Sequence, residues 1–321
     1  MNILWKIVIA MVIGFVVLNM VLVGRFYLGK KNITVHNQEI GGYKIDLPLV
    51  DNVTVQPVVD LLAKNDNYKT ETGLSYLIET DKDSVLFDVG YNKKQEEVSP
   101  LLHNLKELNI NLDDINTLAI SHNHADHVGG LCYTKKRVEL TKGLVDLKGK
   151  SIYTPVPLTC DTAVAKTVDA PMLITKNIAS TGPLAEQMFI PGEVYEQSLL
   201  LNLKGKGLVV ISGCGHPGII RIVETAQKIT GIPVYAVVGG LHLYYSQPES
   251  GIWGNIFGSS KLFCMTPSQN EVINTVKELK QLGVKKAYIS SHDADQATLK
   301  IFADEFGADF NTIKVGEPVS F

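Results

Sequence analysis

The chain has 321 residues, 45% of them hydrophobic and 20% charged, with 30 basic and 33 acidic side chains and a formal net charge of −3. That much apolar material excludes a disordered chain, and the near-balance of charge argues against a dedicated nucleic-acid binder, which carries a basic patch. Mean hydropathy is +0.11, high for a water-soluble enzyme.

The excess lies at the amino terminus. Residues 7–24 form an uncharged run broken only by Asn19, preceded by Lys6 and followed by Arg25, Lys30 and Lys31. As a helix the run is about 27 Å long, close to the thickness of a hydrocarbon core, and it lacks the polar face of a core helix. A cleaved signal peptide is the alternative, but its apolar core is usually about 7–15 residues. Nor does Val23-Gly24-Arg25-Phe26 offer a small-x-small cleavage site. We expect residues 1–31 to be a membrane anchor and basic flank, with secretion only if the segment is cleaved. Basic residues on both sides leave its orientation open.

Residues 32–321 are expected to form one catalytic domain. Short apolar runs rich in β-branched residues at 74–78, 85–87, 118–120, 199–203, 208–211, 234–238 and 287–289 read as strands. Helical periodicity appears at 97–108, 219–229, 269–282 and 296–306, the third expected to start at Thr266-Pro267-Ser268-Gln269 with Thr266 as cap, Pro267 at the first position and Gln269 three residues on. Hairpin-like strands come first and helices alternate with strands later, the order of a mixed α/β sandwich. The Pro- and Thr-rich stretch 133–191 reads as an insertion over the mouth of the site. Cys132, Cys160, Cys214 and Cys264 form no C-x-x-C pair, so neither a zinc knuckle nor a disulfide framework is indicated.

The strongest signal is Ser121-His122-Asn123-His124-Ala125-Asp126-His127-Val128-Gly129-Gly130, which follows the strand at 118–120. Three imidazoles and a carboxylate within six positions can surround one or two metal ions. His122 and His124 can point together while Asp126 and His127 turn to a second locus. Nitrogen with carboxylate suits zinc, with iron or manganese also admissible. His216, His242 and His292 each follow a predicted strand, at the end where α/β folds gather ligand groups. His36 and His103 lie outside any such cluster.

The H-x-H-x-D-H pattern resembles the signature of the metallo-β-lactamase-fold superfamily. Gly73-Leu74-Ser75 and Leu86-Phe87-Asp88-Val89-Gly90 resemble its early strands. Glu196-Gln197-Ser198-Leu199 through Gly207 to Ile219, with Ser212-Gly213-Cys214-Gly215-His216-Pro217-Gly218, resembles one subgroup, as does Gly239-Gly240-Leu241-His242-Leu243. That subgroup contains the archaeal dihydropterin ribofuranosyl-aminobenzene phosphate synthase and many metal-dependent hydrolases. The resemblance implies a four-layer αββα sandwich, here behind a transmembrane helix. It also implies a hydrolase that turns a metal-activated water on an ester, phosphodiester or related bond of a small molecule. His122, His124 and His216 would hold the first metal. Asp126, His127 and His242 would hold the second, with Asp126 as general base. His242 is preferred over His292 because it lies on the first strand after the helix that follows His216. Asp88, Cys214 and His292 would support the metal loop or line the pocket; Cys214 stands where many members carry a bridging Asp, and its thiolate could also ligate zinc. Where the subgroup often ends in H-C-T-G, this chain has His292-Asp293-Ala294-Asp295. Two other readings are a transferase joining an aryl substrate to a pterin, and a membrane-tethered metal-binding protein without catalysis.

Overall fold

Alternation along single strands sorts the side chains into layers. In Gly207–Ser212, Leu208 and Val210 enter one core while Val209 and Ile211 enter another; in Leu199–Leu203, Leu200 takes the first and Leu199, Leu201 and Leu203 the second. A strand that is apolar on both faces must be covered on both, which requires a second sheet on one side and helices on the other. The computed structural model, which describes residues 3–246, 256 and 258–321, has this arrangement.

Among the described residues one sheet runs in the order Val319–Ser320, Val53–Val59, Ser75–Thr80, Ser84–Phe87, Thr117–Ala119, Ser151–Thr154, Ala165–Thr167. The other runs Phe310–Thr312, Lys286–Ile289, Val234–Gly239, Gly207–Ser212, Leu199–Leu203, Ala179–Ser180, Met172–Leu173, with Leu49–Val50 also paired to Leu199–Leu203. The inter-sheet core holds Val55, Tyr76, Ile78, Phe87, Leu201, Val209 and Val238. Helices Ile219–Thr230, Gln269–Gln281 and Gln296–Phe306 cover the outer face of the second sheet through Ile222, Val276 and Phe302. Helix Pro100–Glu107 covers the first through Leu101 and Leu105. This is the αββα sandwich of the metallo-β-lactamase fold.

The strands that carry the site are parallel within each sheet. Ser84–Phe87, Thr117–Ala119 and Ser151–Thr154 run together, as do Gly207–Ser212, Val234–Gly239 and Lys286–Ile289. Their carboxyl ends carry Asp88, the 121–127 loop, and the loops of His216, His242 and His292.

Three expectations change. Residues 133–191 are not simply an insertion: they supply edge strands to both sheets and the start of the hairpin Leu184–Gln187/Glu193–Glu196. Their strands are only two to four residues long, too short to show a period. The third helix is capped by Ser268 rather than Thr266, its hydroxyl accepting from Glu271 N while Glu271 reaches back to the Ser268 N–H. The amino-terminal helix does not end at the basic flank but continues as Ile3–Ile40. Its first half is exposed and long and apolar enough to cross a membrane. In the second half Phe26, Gly29, Ile33 and Ile40 are buried on one face, against the hairpin and the adjoining helix.

Candidate metal centre

The site is built on turns that the sequence makes specific. After Ala125–Val128, a single helical turn, Gly129 and Gly130 take φ of 95° and 100°. A Cβ at Gly129 would overlap the Glu139 carbonyl, so the motif can turn back into the sandwich only through glycine. The result brings His122, His124 and His216 together, with one ligand atom of each within 4.8 Å of the others. Asp126, His127, Cys214 and His292 form a second such group. The His122 and His127 ring centroids are 4.1 Å apart, so the groups are adjacent.

Hydrogen bonds determine which ring nitrogen each group presents. Ser121 Oγ donates to Asp88 Oδ2 at 2.7 Å. Its proton is thereby used, so His122 Nδ1, 2.9 Å away, donates to that hydroxyl and Nε2 carries the lone pair. His122 Nε2 and His216 Nδ1 are buried without a hydrogen-bond partner among the described residues. Asp88 also accepts from His127 Nδ1 at 2.7 Å, leaving His127 Nε2 3.0 Å from Cys214 Sγ. The same device recurs opposite. Asp60 accepts from Ser290 Oγ at 2.9 Å, Ser290 faces His292 Nδ1 at 2.7 Å, and His292 Nε2 lies 3.3 Å from Cys214 Sγ. Tyr76 donates to the other Asp60 oxygen.

The turn carrying Cys214 and His216 is held by one buried carboxylate. Glu196 accepts from the backbone N–H groups of Cys214, Gly215 and His216 at 3.1, 2.8 and 2.8 Å. Burial raises its pKa, and those N–H groups oppose the rise.

Burial holds the first group neutral: it lowers His122 and His216 well below the usual histidine range and His124 to about 4, against the pull of Asp126 on His124. Burial also disfavours the His127 cation, but Asp88 and Asp126 outweigh it and push His127 up to about 9. Burial, then the carboxylates of Asp293, Asp126 and Glu196, push the Cys214 thiol up.

His242 does not join either group. Its backbone, at φ 46°, donates to Asp293 Oδ2 at 3.0 Å, which turns its ring to the rim, 4.5 Å from the His216 ring and 3.4 Å (Nε2) from Tyr244 Oη. His292 occupies the place expected of His242, because the Asp60–Ser290 pair aims it inward. Asp88 accepts from both Ser121 and His127 of the loop, and Cys214 lies between the His127 and His292 imidazoles. Asp60 and Ser290 support the site but lie in no motif of the sequence, and Glu196 lies in the segment that resembles the subgroup with no role assigned to it; the detectable signal is a carboxylate directly after strand Val53–Val59 and one just before Leu199–Leu203. His36 and His103 lie outside both groups, their rings meeting the Pro183 and Asn67 carbonyls.

Residues 69–178, which include Asp88 and the whole 121–127 loop, match the metallo-β-lactamase superfamily. Over that stretch the chain is similar to the metallo-β-lactamase superfamily. Among its curated relatives is the 7,8-dihydropterin-6-methyl-4-(β-D-ribofuranosyl)-aminobenzene-5′-phosphate synthase of Methanocaldococcus jannaschii, 29% identical over 85% of this chain and 98% of the relative. The fold is shared with the solved structure of a metal-dependent hydrolase of the β-lactamase superfamily, at TM-score 0.59 and 24% identity, covering 83% of this chain and 98% of the other. It is also shared with the metallo-β-lactamase fold protein YhfI of Bacillus subtilis, at TM-score 0.50 and 15% identity, covering 84% and 100%. In this superfamily fold the two adjacent donor groups are candidate sites for divalent metal.

Proposed function

We propose that this protein, which has the metallo-β-lactamase fold, is a membrane-anchored hydrolase that acts on an ester, phosphodiester or related bond of a small molecule. The observation that carries the reading is the pair of donor groups side by side on one strand-end rim, the first with a buried imidazole nitrogen, His122 Nε2, that has no hydrogen-bond partner among the described residues. His122 Nε2 fits a metal, its ring being neutral and aimed through Nδ1, and His124 Nδ1 and His216 Nε2 face each other at 3.1 Å as a pair of further donors. His122, His124 and His216 would hold one ion, and Asp126, His127, Cys214 and His292 a second. Nitrogen, carboxylate and thiol donors together suit zinc better than iron or manganese. A bound ion would supply Lewis acidity and lower the pKa of a bound water toward about 7.

The chain's own groups do the rest. Asp126 has a side chain 30% exposed, whereas His127 beside it is fully buried, so Asp126 can reach an entering molecule and accept a proton as general base. Asp88 and Asp60 fix the tautomers of His122, His127 and His292 through direct bonds or through Ser121 and Ser290. Glu196 holds the Cys214–His216 turn. Tyr244, at the rim beside His242, can donate a hydrogen bond to substrate. The likeness to the Methanocaldococcus synthase favours one second reading, a transferase joining a pterin to an aryl substrate at the same residues.

Two measurements test the proposal. Purified full-length chain is expected to retain at least one metal ion, and less than one after careful preparation sinks it. Metal-loaded chain is then run on esters, lactones and phosphodiesters, and on a pterin with an aryl phosphate partner. Turnover only of the last pair would replace the hydrolase with the transferase. The anchor reading rests on the exposed apolar half of Ile3–Ile40. Carbonate-washed membranes should retain a chain whose first residues are intact; release, or a cleaved amino terminus, would contradict it.

A further inference from the structure

The residues that join the end of the apolar run to the rim of the metal centre form a continuous path. Arg25, the first residue after the run at 7–24, donates to the carbonyls of Phe189 and Ile190. One residue on, the buried Phe26 ring packs on Phe189 at 5.8 Å between centroids, and Phe189 packs on Phe263 at 5.4 Å. The segment 258–265, which carries Phe263, is tied to the same place, because Phe189 N donates to Ser259 O at 3.0 Å. Its other end meets the site: a Cβ on Gly258 would lie 2.7 Å from the His242 ring, and that ring is 4.5 Å from His216.

Along this path the outward groups are apolar. Phe263 is 59% exposed and Met265 56%, beside Tyr27 and Leu28 of the helix at 59% and 67%. Phe26 lies about 3 Å along the helix axis beyond the end of the apolar run, inside the headgroup layer that adds about 5–7 Å to each side of a hydrocarbon core. Two edge-packed rings carry that level sideways to Phe263. Exposed aromatic and thioether groups at such a level are the chemistry of an interfacial anchor.

We propose that Phe263 and Met265 seat in the bilayer interface beside the exit of the helix, so that the 258–265 wall holds the His242 rim of the metal centre against the membrane surface, within reach of bilayer-dissolved molecules. The inference rests on the anchor reading, and the test separates the two. Full-length chain is reconstituted in phosphatidylcholine/phosphatidylglycerol vesicles whose acyl chains are brominated at a shallow position. In a Trp253→Phe background, Trp5 reports the helix. With both native tryptophans replaced by Phe, Phe263→Trp reports the wall, and Leu144→Trp, 74% exposed on the opposite outer layer, serves as control. Expected is quenching of Trp5 and of Phe263→Trp by about a third or more relative to unbrominated vesicles, with about a tenth or less at the control. Quenching of Trp5 with Phe263→Trp no stronger than Leu144→Trp overturns the docking and leaves the anchor. Absence of Trp5 quenching, with the chain released by carbonate, overturns both. Should Phe263→Trp lose its fold by circular dichroism, Met265→Trp takes its place: quenching above the control supports the docking, and quenching no stronger than the control overturns it.

Discussion

The two donor groups differ in what they lack. His122, His124 and His216 are all imidazole and neutral; His216 Nε2 meets His124 Nδ1 at 3.1 Å, while the buried His122 Nε2 has no hydrogen-bond partner among the described residues. Asp126, His127, Cys214 and His292 already satisfy one another, with the Cys214 thiol between two imidazoles and a charged ring held by Asp88. An unsatisfied buried nitrogen costs about 1–3 kcal/mol, so the first group is built to be completed from outside. The second can persist as a hydrogen-bonded network, and an ion there must displace the thiol proton. Adjacent sites made from the same loop can thus differ in how strongly they require metal.

The largest effect should come from breaking the first group. His122→Ala should weaken the tighter-bound ion by about 100-fold or more and bring turnover to background, read by equilibrium dialysis with elemental analysis. Asp88→Asn reaches both groups, through Ser121 and through His127, and should weaken both ions by about 10–100-fold. Cys214→Ser should weaken only the second ion, by about tenfold, leaving the first within twofold; an equal loss at both would show that the groups act as one site.

Smaller again is the pH dependence of metal-stripped chain. His124, at about 4 folded against 6.5 unfolded, takes up its proton first in the unfolded chain, so stability falls as pH drops from 6.5 toward 4. His127, at about 9 folded, contributes stability below pH 6.5 that is lost as pH rises toward 9. The melting temperature should therefore peak near pH 6.5, and His124→Phe should make the acid limb shallower without touching the alkaline one. Smallest is Ser268→Ala, which removes a helix cap distant from both groups. It should cost about 1 kcal/mol in a denaturant melt while both metal affinities stay unchanged.

Much of the architecture was legible because burial on both faces makes a strand read as an apolar run. Leu199–Leu203 appeared with its observed ends, and Gly207–Ser212, Val234–Gly239 and Lys286–Ile289 to within a residue or two at each end. The edge strands in 151–180 were not, since strands of two to four residues carry no period and their pairing partners lie far along the chain. The metal loop was legible for a different reason. Four ligand side chains within six residues need only a turn to converge, and the glycine pair announces that turn.

Choosing between His242 and His292 could not be done from order along the chain. Both follow a parallel strand, and topology alone favoured the nearer. The decision falls to Asp60, which is 230 residues away from Ser290 and aims His292 inward through it, and to Asp293, whose bond to the His242 backbone turns that ring to the rim. Glu196 is the same kind of case, a carboxylate whose partners are three backbone N–H groups in a distant turn. By itself the sequence determined the sandwich, the amino-terminal apolar span and the identity of the donor atoms, because those follow from local composition and period. Only the tertiary structure decided which donors face one another, because that depends on buried hydrogen bonds between strands that are neighbours in space alone.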